Sequence, residues 1–411
     1  MATTKTVVFQ SEYGYIHPFP NRLDLSRTPI SLTMFPIGPN QDFHIKHGEM
    51  FMTPDGLSDK PYNWKLMFTT RGFQLVKKNG RILMIRGKSF FSLRKYSIFE
   101  KLAIVHWGGY YSISDGVGDF LIEGATVIKQ MGCRHLKLYL GHRSDEYYRI
   151  HLESKVPHEI ASQSNYKKVL SMGWNTVVLV CHATVFNPNK GEVDSKFWKD
   201  DTLPDSLYQE EQSQMKQLAK TLERIAPRTN FIITNWEGDN MVSEDNSEQV
   251  YSNMTRWFRH RQAGIDEAKT LNVKHGIEVN WVSNLIHDPS TPCVLSRVVP
   301  NVATDYISYS CYEIDNFDQL RANLDLIQSY SYGRSRIIIG EFGAPINNKE
   351  PQQVEEYISA FLKIIDNSEV ELCCYWQIFE NEFDENGNPR GFGLINPEKR
   401  VTGLWFLFSD L

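Results

Sequence analysis

The chain has 411 residues, 41% hydrophobic and 12% aromatic, enough for a large core and more than one average domain would use. Its 44 Lys and Arg against 49 Asp and Glu leave a net charge of −5, so no basic excess points to nucleic acid, and a run such as "RWFRHR" (256–261) reads as a solvated face. The longest apolar runs are strand-sized and the N-terminus has no apolar leader pattern, so neither membrane contact nor a cleaved signal is expected; a cytoplasmic location follows, with export lacking such a signal left open.

The first hundred residues are rich in Pro, Phe and turn formers, as in "HPFPNRLDLSRTP". "GFQLVKKNGRILMIRG" (72–87) reads as a hairpin, because apolar runs flank Lys-Asn-Gly. From residue 102 a different rhythm begins. "LAIVHW" (102–107) is strand-like, with 82–91 as the alternative for this first strand. A helix follows with Ile122, Ala125, Ile128 and Met131 on one face. "HLKLYLG" (135–141) is a second strand, "NYKKVLSMG" a short helix and "TVVLVCHA" (176–183) a third strand. Met215, Leu218, Leu222 and Ile225 mark a helix over 206–226, and "NFIITNWEG" is the fourth strand. A helix over 250–272 leads to "HGIEVNWV" (275–282), the fifth strand, and "DYISYSCYE" (305–313) is the sixth. "FDQLRANLDLIQSY" is helical, "RIIIGEFG" (336–343) the seventh strand, 354–366 a helix and "ELCCYWQIFE" (371–380) the eighth strand.

Strands alternating with helices define an α/β chain, and several strands are apolar on both faces, as a covered parallel sheet requires. Eight such units predict a (β/α)8 TIM barrel over 102–411, with 1–101 as a strand-bearing N-terminal extension packed on it. A doubly wound open sheet is the runner-up, but no G-x-G-x-x-G or P-loop follows a strand. The six cysteines mostly sit in strand-like runs and fit no zinc or disulfide spacing, so they read as reduced core thiols. Cys181 beside His182 lacks any acyl-transfer motif, and Trp281 and Tyr375 read as core.

Function in such a barrel gathers at the C-terminal strand ends. There the sequence places His182, then Asn235, Trp236, Glu237 and Asp239, then Glu278 and Asn280, then Tyr309 and Tyr312, then Glu341 and finally Trp376. Aromatic faces stack on sugar rings, amides and carboxylates bind hydroxyls, and a carboxyl pair can cleave a glycosidic bond. His182 reads equally as a satisfied polar histidine or a substrate contact.

Glu237 in "NWEGDN" and Glu341 in "IIIGEFG" resemble the acid/base and the nucleophile of the clan A retaining glycoside hydrolases, family 5-like barrels. "NWEGDN", "RHRQAGIDEA", "IEVNWV" and "YISYSCYE" further resemble a set of uncharacterised bacterial and fungal barrel proteins with a Trp-Glu-Gly-Asp motif. The resemblance implies a retaining glycosidase acting on a β-linked glycan, without a cofactor or metal. In it a strand-six tyrosine, Tyr309 or Tyr312, orients Glu341, and Trp376 floors the sugar site. Asn235, Trp236, His182 and Asn280 would complete a carbohydrate-binding surface. Two features depart from the clan: Trp236 stands directly before Glu237, where Asn is usual, and Lys137 stands where Arg is favoured, with Arg143 beyond it. The acid must have a raised pKa, for which Trp236 could supply apolar surface and Asp239 a like charge. Two other readings stay open. One is a catalytically silent carbohydrate-binding barrel; the other is a metal-dependent, isomerase-like barrel using Glu237, Asp239, Glu278, Glu341 and His182.

Overall fold

Short apolar runs punctuated by turn residues become antiparallel strands in the first part of the chain, and longer ones separated by helices become a parallel barrel in the rest. The computed structural model describes residues 7–11, 30–34, 41–46, 49–54, 64–69, 72–77, 82–84, 100–108, 119–183, 185–187, 190, 192–200, 203–312, 316–345, 351–397 and 399–409. The chain divides into two compact units, Met1–Tyr96 and Ser97–Asp410.

In the first unit β1 (Val7–Ser11) pairs antiparallel with β2 (Ile30–Met34), and β3 (Gln41–Lys46) with β4 (Glu49–Pro54). β5 (Trp64–Thr69), β6 (Gly72–Lys77) and β7 (Ile82–Met84) form a three-stranded antiparallel sheet. The expected hairpin is the β6–β7 pair, with Val76 opposite Ile82; its Lys-Asn-Gly turn lies outside the described residues. Residues 82–84 therefore belong to this sheet, which removes the alternative for the first barrel strand.

In the second unit eight parallel strands close on themselves. They are β8 (Leu102–His106), β9 (His135–Tyr139), β10 (Thr176–Val180), β13 (Asn230–Thr234), β14 (Val273–Val279), β15 (Tyr306–Ser310), β16 (Arg336–Phe342) and β17 (Leu372–Tyr375). A short antiparallel hairpin of β11 (Val185–Asn187) and β12 (Glu192–Asp194), absent from the sequence reading, is inserted after β10. The open-sheet alternative is thereby excluded. The main helices fall where the periodicity places them: Phe120–Gln130, Asp205–Ile225, Glu248–Ala268, Phe317–Tyr330 and Pro351–Asp366. Among the described residues no helix is long and apolar enough to cross a membrane. All six cysteines are buried, and none is in a disulfide.

The strand period of two decides which side chains fill the barrel. Ala103, Val105, Val178, Ile232, Ile338 and Cys374 pack together as its apolar core. Above them the inward positions turn polar: Lys137 on β9, Glu278 on β14, and Ser308 and Ser310 on β15. One irregularity sets the site. Tyr309 pairs with Ile339 but Ser310 pairs with Glu341, so β16 carries one extra residue at Gly340. Strict alternation from the core residue Ile338 would send Glu341 outward. The bulge shifts the phase, so Glu341 faces the barrel mouth while Phe342 stacks on Phe361 of the following helix (4.3 Å between centroids).

Candidate active site

The C-terminal strand ends surround a cavity of about 1060 Å³. Glu237, Glu341, Trp236, Tyr312, His182 and Trp376 all line it. Both glutamates are recessed, with 9% of Glu237 and 3% of Glu341 exposed. Trp107 adds a second indole 5.8 Å from Trp376, and Tyr139 and Tyr147 extend this aromatic wall (4.9 Å apart). Trp376 is fixed through its Nε1–H, which donates to Glu382 Oε1 (2.9 Å), and Glu382 is held in turn by Arg390 (2.8 Å).

Beneath the cavity the carboxylates are organised by one cation. The fully buried Lys137 ammonium donates to Glu278 Oε2 (3.0 Å), Glu341 Oε1 (2.9 Å) and the Gly340 carbonyl (3.0 Å). Ser308 donates to Glu278 Oε2 (2.7 Å), and the backbone N–H of Glu237 donates to Glu278 Oε1 (3.2 Å). Glu237 itself accepts from Ser310 at Oε1 (2.7 Å) and from the Asn240 amide at Oε2. Glu278 is thus the hub that ties the ammonium, the β15 serine and the Glu237 backbone together.

Three carboxylates around one ammonium would carry a net charge of −2 if all were ionised, and burial makes that costly. Burial, with the charges of Glu278 and Glu237 adding to it and Lys137 opposing, pushes Glu341 up to about 8. Burial also raises Glu237; the Ser310 hydrogen bond opposes this and the Glu278 charge reinforces it. Burial works against the Lys137 charge, but the Glu278 and Glu341 carboxylates outweigh it and hold the ammonium above its ordinary range. The cluster therefore retains a proton near neutrality, shared within a coupled set. Lys137 touches Glu341 and not Glu237, so it lowers the cost of ionising Glu341 directly.

This has a consequence for stability. Glu341 titrates near 4.5 when unperturbed and at about 8 in the fold, so between those values the folded protein binds a proton that the unfolded chain has released. The contribution is present in full below the lower value and is lost as pH rises through the upper one. Glu341→Gln removes this dependence. Its Tm advantage over the wild type is expected to be larger by ~2 °C or more at about pH 9 than at about pH 5. A pH-independent difference would show that Glu341 is not shifted upward.

Gly340 makes the network possible. A Cβ there would lie 2.0 Å from Ser308 Oγ and 2.1 Å from Glu278 Oε2. Because these two atoms are buried and bonded to each other, Gly340→Ala has to push Glu278 off Lys137. We expect a loss of ~1–3 kcal/mol in urea unfolding; an unchanged midpoint would contradict this packing.

Three residues expected to bind substrate do not line the cavity. Asn235 is fully buried and spans to β14: its Oδ1 accepts the Glu278 N–H (2.8 Å) and its Nδ2 donates to the Glu278 carbonyl (3.2 Å). Asn280 accepts the Asp239 N–H at Oδ1 (3.0 Å). Tyr309 points outward, since Ser308 and Ser310 take the inward positions, and its hydroxyl accepts from Asn323 in the 317–330 helix (2.6 Å). Tyr312 is therefore the tyrosine that shares a cavity with Glu341, although Lys137 is the group hydrogen-bonded to Glu341 among the described residues. Asp239 is not the like charge beside Glu237. Its carboxylate accepts backbone N–H groups from Asn280 (2.9 Å), Trp281 (3.1 Å) and Val294 (2.6 Å), clamping the loops together, and Glu278 is the charge that acts on Glu237. Among the described residues no group of three or more His, Cys, Asp or Glu side chains is arranged to hold a metal ion; Lys137 stands between Glu278 and Glu341 instead.

The sequence reading noted Lys137 only as standing where Arg is favoured, and it assigned no role to Ser308, Ser310 or Asn240. Lys137 carried a signal, being the lone charge in the middle of the doubly apolar run "HLKLYLG". The serines carried none.

No family model matches the sequence, and no curated protein matches it. The fold does match solved structures. A GH5_18 protein from Bifidobacterium longum subsp. infantis aligns with a TM-score of 0.51 and 13% identity over 76% of this chain and 78% of its own. A substituted GH5_18 protein from Streptomyces cattleya, solved in complex with Manb1-4GlcNAc, aligns at 0.53 and 14% over 75% and 79%. An exo-beta-1,4-mannosidase from Opitutaceae bacterium strain TAV5 aligns at 0.51 and 13% over 84% of this chain and 61% of that one. The likeness is one of fold, a barrel of eight parallel strands.

Proposed function

We propose that the barrel unit is a retaining glycosidase that cleaves a β-linked glycan or glycoside through Glu237 and Glu341. The observation that carries this reading is the pairing of two recessed glutamates in one aromatic-walled cavity, with the ammonium of Lys137 bonded to Glu341 alone of the two. Structures of the same fold that bear a mannosidase name or hold Manb1-4GlcNAc support a sugar ligand.

In this reading Glu341 attacks the anomeric carbon while Glu237 gives its proton to the leaving oxygen. The Glu341 charge is consumed as the glycosyl ester forms, and Glu237 becomes the anion that draws a proton from water in the second step. Lys137 opposes the upward shift of Glu341 and so favours its ionised, attacking form. Ser310 and Asn240 fix the Glu237 carboxyl, and Trp376 supplies the flat apolar surface under the sugar. Tyr312 takes the place of the orienting tyrosine. Such a pair works at a carboxyl separation of about 5–5.5 Å.

Proton NMR of the first-formed product tests the reading. Release of the β-anomer from a β-glycoside is expected; first release of the α-anomer, or no turnover across a panel of β-glycosides, would reject it.

A further inference from the structure

The proposed chemistry leaves one wall of the cavity without a task. On the side built by the loops after β9 and β10, the lining includes His142, Arg143, His182 and Lys196. The cations of this wall and of the loop behind it differ in how they are paired. Arg143 is engaged by Glu146 through Nε (2.9 Å) and Nη2 (2.6 Å). Lys190 takes the Asp194 carboxylate (2.6 Å) and the Asp200 carboxylate (3.1 Å), and Lys199 lies 3.5 Å from Glu244. Lys196 has its backbone N–H anchored on Asp194 Oδ1 (2.9 Å), but its ammonium meets no carboxylate within ion-pair distance among the described residues. It is a half-buried cation facing a cavity.

The two histidines beside it are kept uncharged. Burial is the main cause that pulls both below the ordinary histidine range, His182 to about 3; Lys155 and Arg143 add to it at His142, and His142, Arg261 and Lys196 at His182. In each ring Nδ1 is shut in without a partner, which leaves Nε2 as the nitrogen open to a ligand.

We propose that this wall is a subsite for an anionic substituent of the sugar substrate, a uronic-acid carboxylate or a phosphate or sulfate ester, with Lys196 as counter-charge and His142 and His182 as hydrogen-bonding partners. The proposal rests on the glycosidase reading above. An ammonium partly stripped of water and left unpaired is costly, and an anionic ligand recovers that cost through a charge-assisted hydrogen bond. The carboxyl cluster at the barrel mouth repels the same group, so the two ends of the cavity together fix which way an acidic sugar enters. A neutral sugar gains neither effect.

Binding titrations on the full chain test this without turnover. Glucose, mannose and galactose are each compared with their uronate, their primary-hydroxyl phosphate and their primary-hydroxyl sulfate, on the wild type, Lys196→Gln and Lys196→Arg. In at least one series an anionic sugar should bind about tenfold or more tightly than its neutral counterpart, and the winning anion identifies the substituent. Lys196→Gln should erase that preference and Lys196→Arg should keep it. The proposal falls if the neutral sugar binds as well in every series, if no anionic sugar binds at millimolar concentration, or if the preference survives Lys196→Gln. Failure of every glycoside to turn over would instead remove the catalytic reading, a result the binding preference does not share.

Discussion

Glu341→Ala is expected to lower turnover by roughly 10⁴–10⁶-fold, the scale on which removal of a covalent nucleophile acts. The substitution leaves no group on β16 to form the glycosyl ester. It also frees Lys137 to serve Glu278 alone, so the fold should survive and the loss should be chemical. Glu237→Ala should behave differently. An activated leaving group needs little protonation, so the first step persists on aryl glycosides and fails on unactivated ones. The second step then lacks its base, and azide, which needs none, should restore part of the rate and yield a β-glycosyl azide. Equal loss on both substrate classes, with no azide rescue, would take the acid/base role away from Glu237. Wild-type-like turnover in Glu341→Ala would take the nucleophile role away from Glu341.

Lys137→Met should be the most damaging single change to the fold at this site. The substitution leaves Glu278 and Glu341 facing each other, buried, with no cation. Removing one partner of a buried ion pair costs about 3–5 kcal/mol, most of it the desolvation of the charge left behind. The protein can escape by protonating a carboxyl, so the loss should be greater at alkaline than at acid pH. Adding Glu278→Gln removes one stranded charge and should recover a large part of the stability. Activity should not return with it, because Glu341 would still lack the ammonium that favours its ionised form. If Lys137→Met is as stable as the wild type at alkaline pH, the ammonium does not organise the site. If the double variant recovers full activity, Lys137 has no catalytic consequence beyond folding.

The alternation of strands and helices was legible because parallel strands covered on both faces are spelled as unbroken apolar runs, such as "LAIVH" and "TVVLV", and their helices as faces at helical spacing. Glu237 and Glu341 were legible for the converse reason: each breaks an apolar run where a barrel puts its working ends. The mistaken placements have local causes. Tyr309 was read as a candidate by residue type, yet Ser308 and Ser310 hold the inward phase of β15, and a serine is too common a strand residue to announce itself. Asn235 and Asn280 are amides that satisfy backbone groups, Asn235 those of β14 and Asn280 that of Asp239 in the loop after β13, a use that residue type alone does not separate from sugar binding. The bulge at Gly340 depends on how β15 and β16 pair, which is not written in either strand separately.

The most direct measurement of the double-displacement claim is covalent trapping. The wild-type protein is incubated with an activated fluoro-sugar glycoside whose second step is slow, then digested, and the labelled peptide is identified by mass spectrometry. A single glycosyl adduct on Glu341 is predicted, absent from Glu341→Ala. An adduct on any other residue, or turnover of the wild type with no adduct at all, would contradict it.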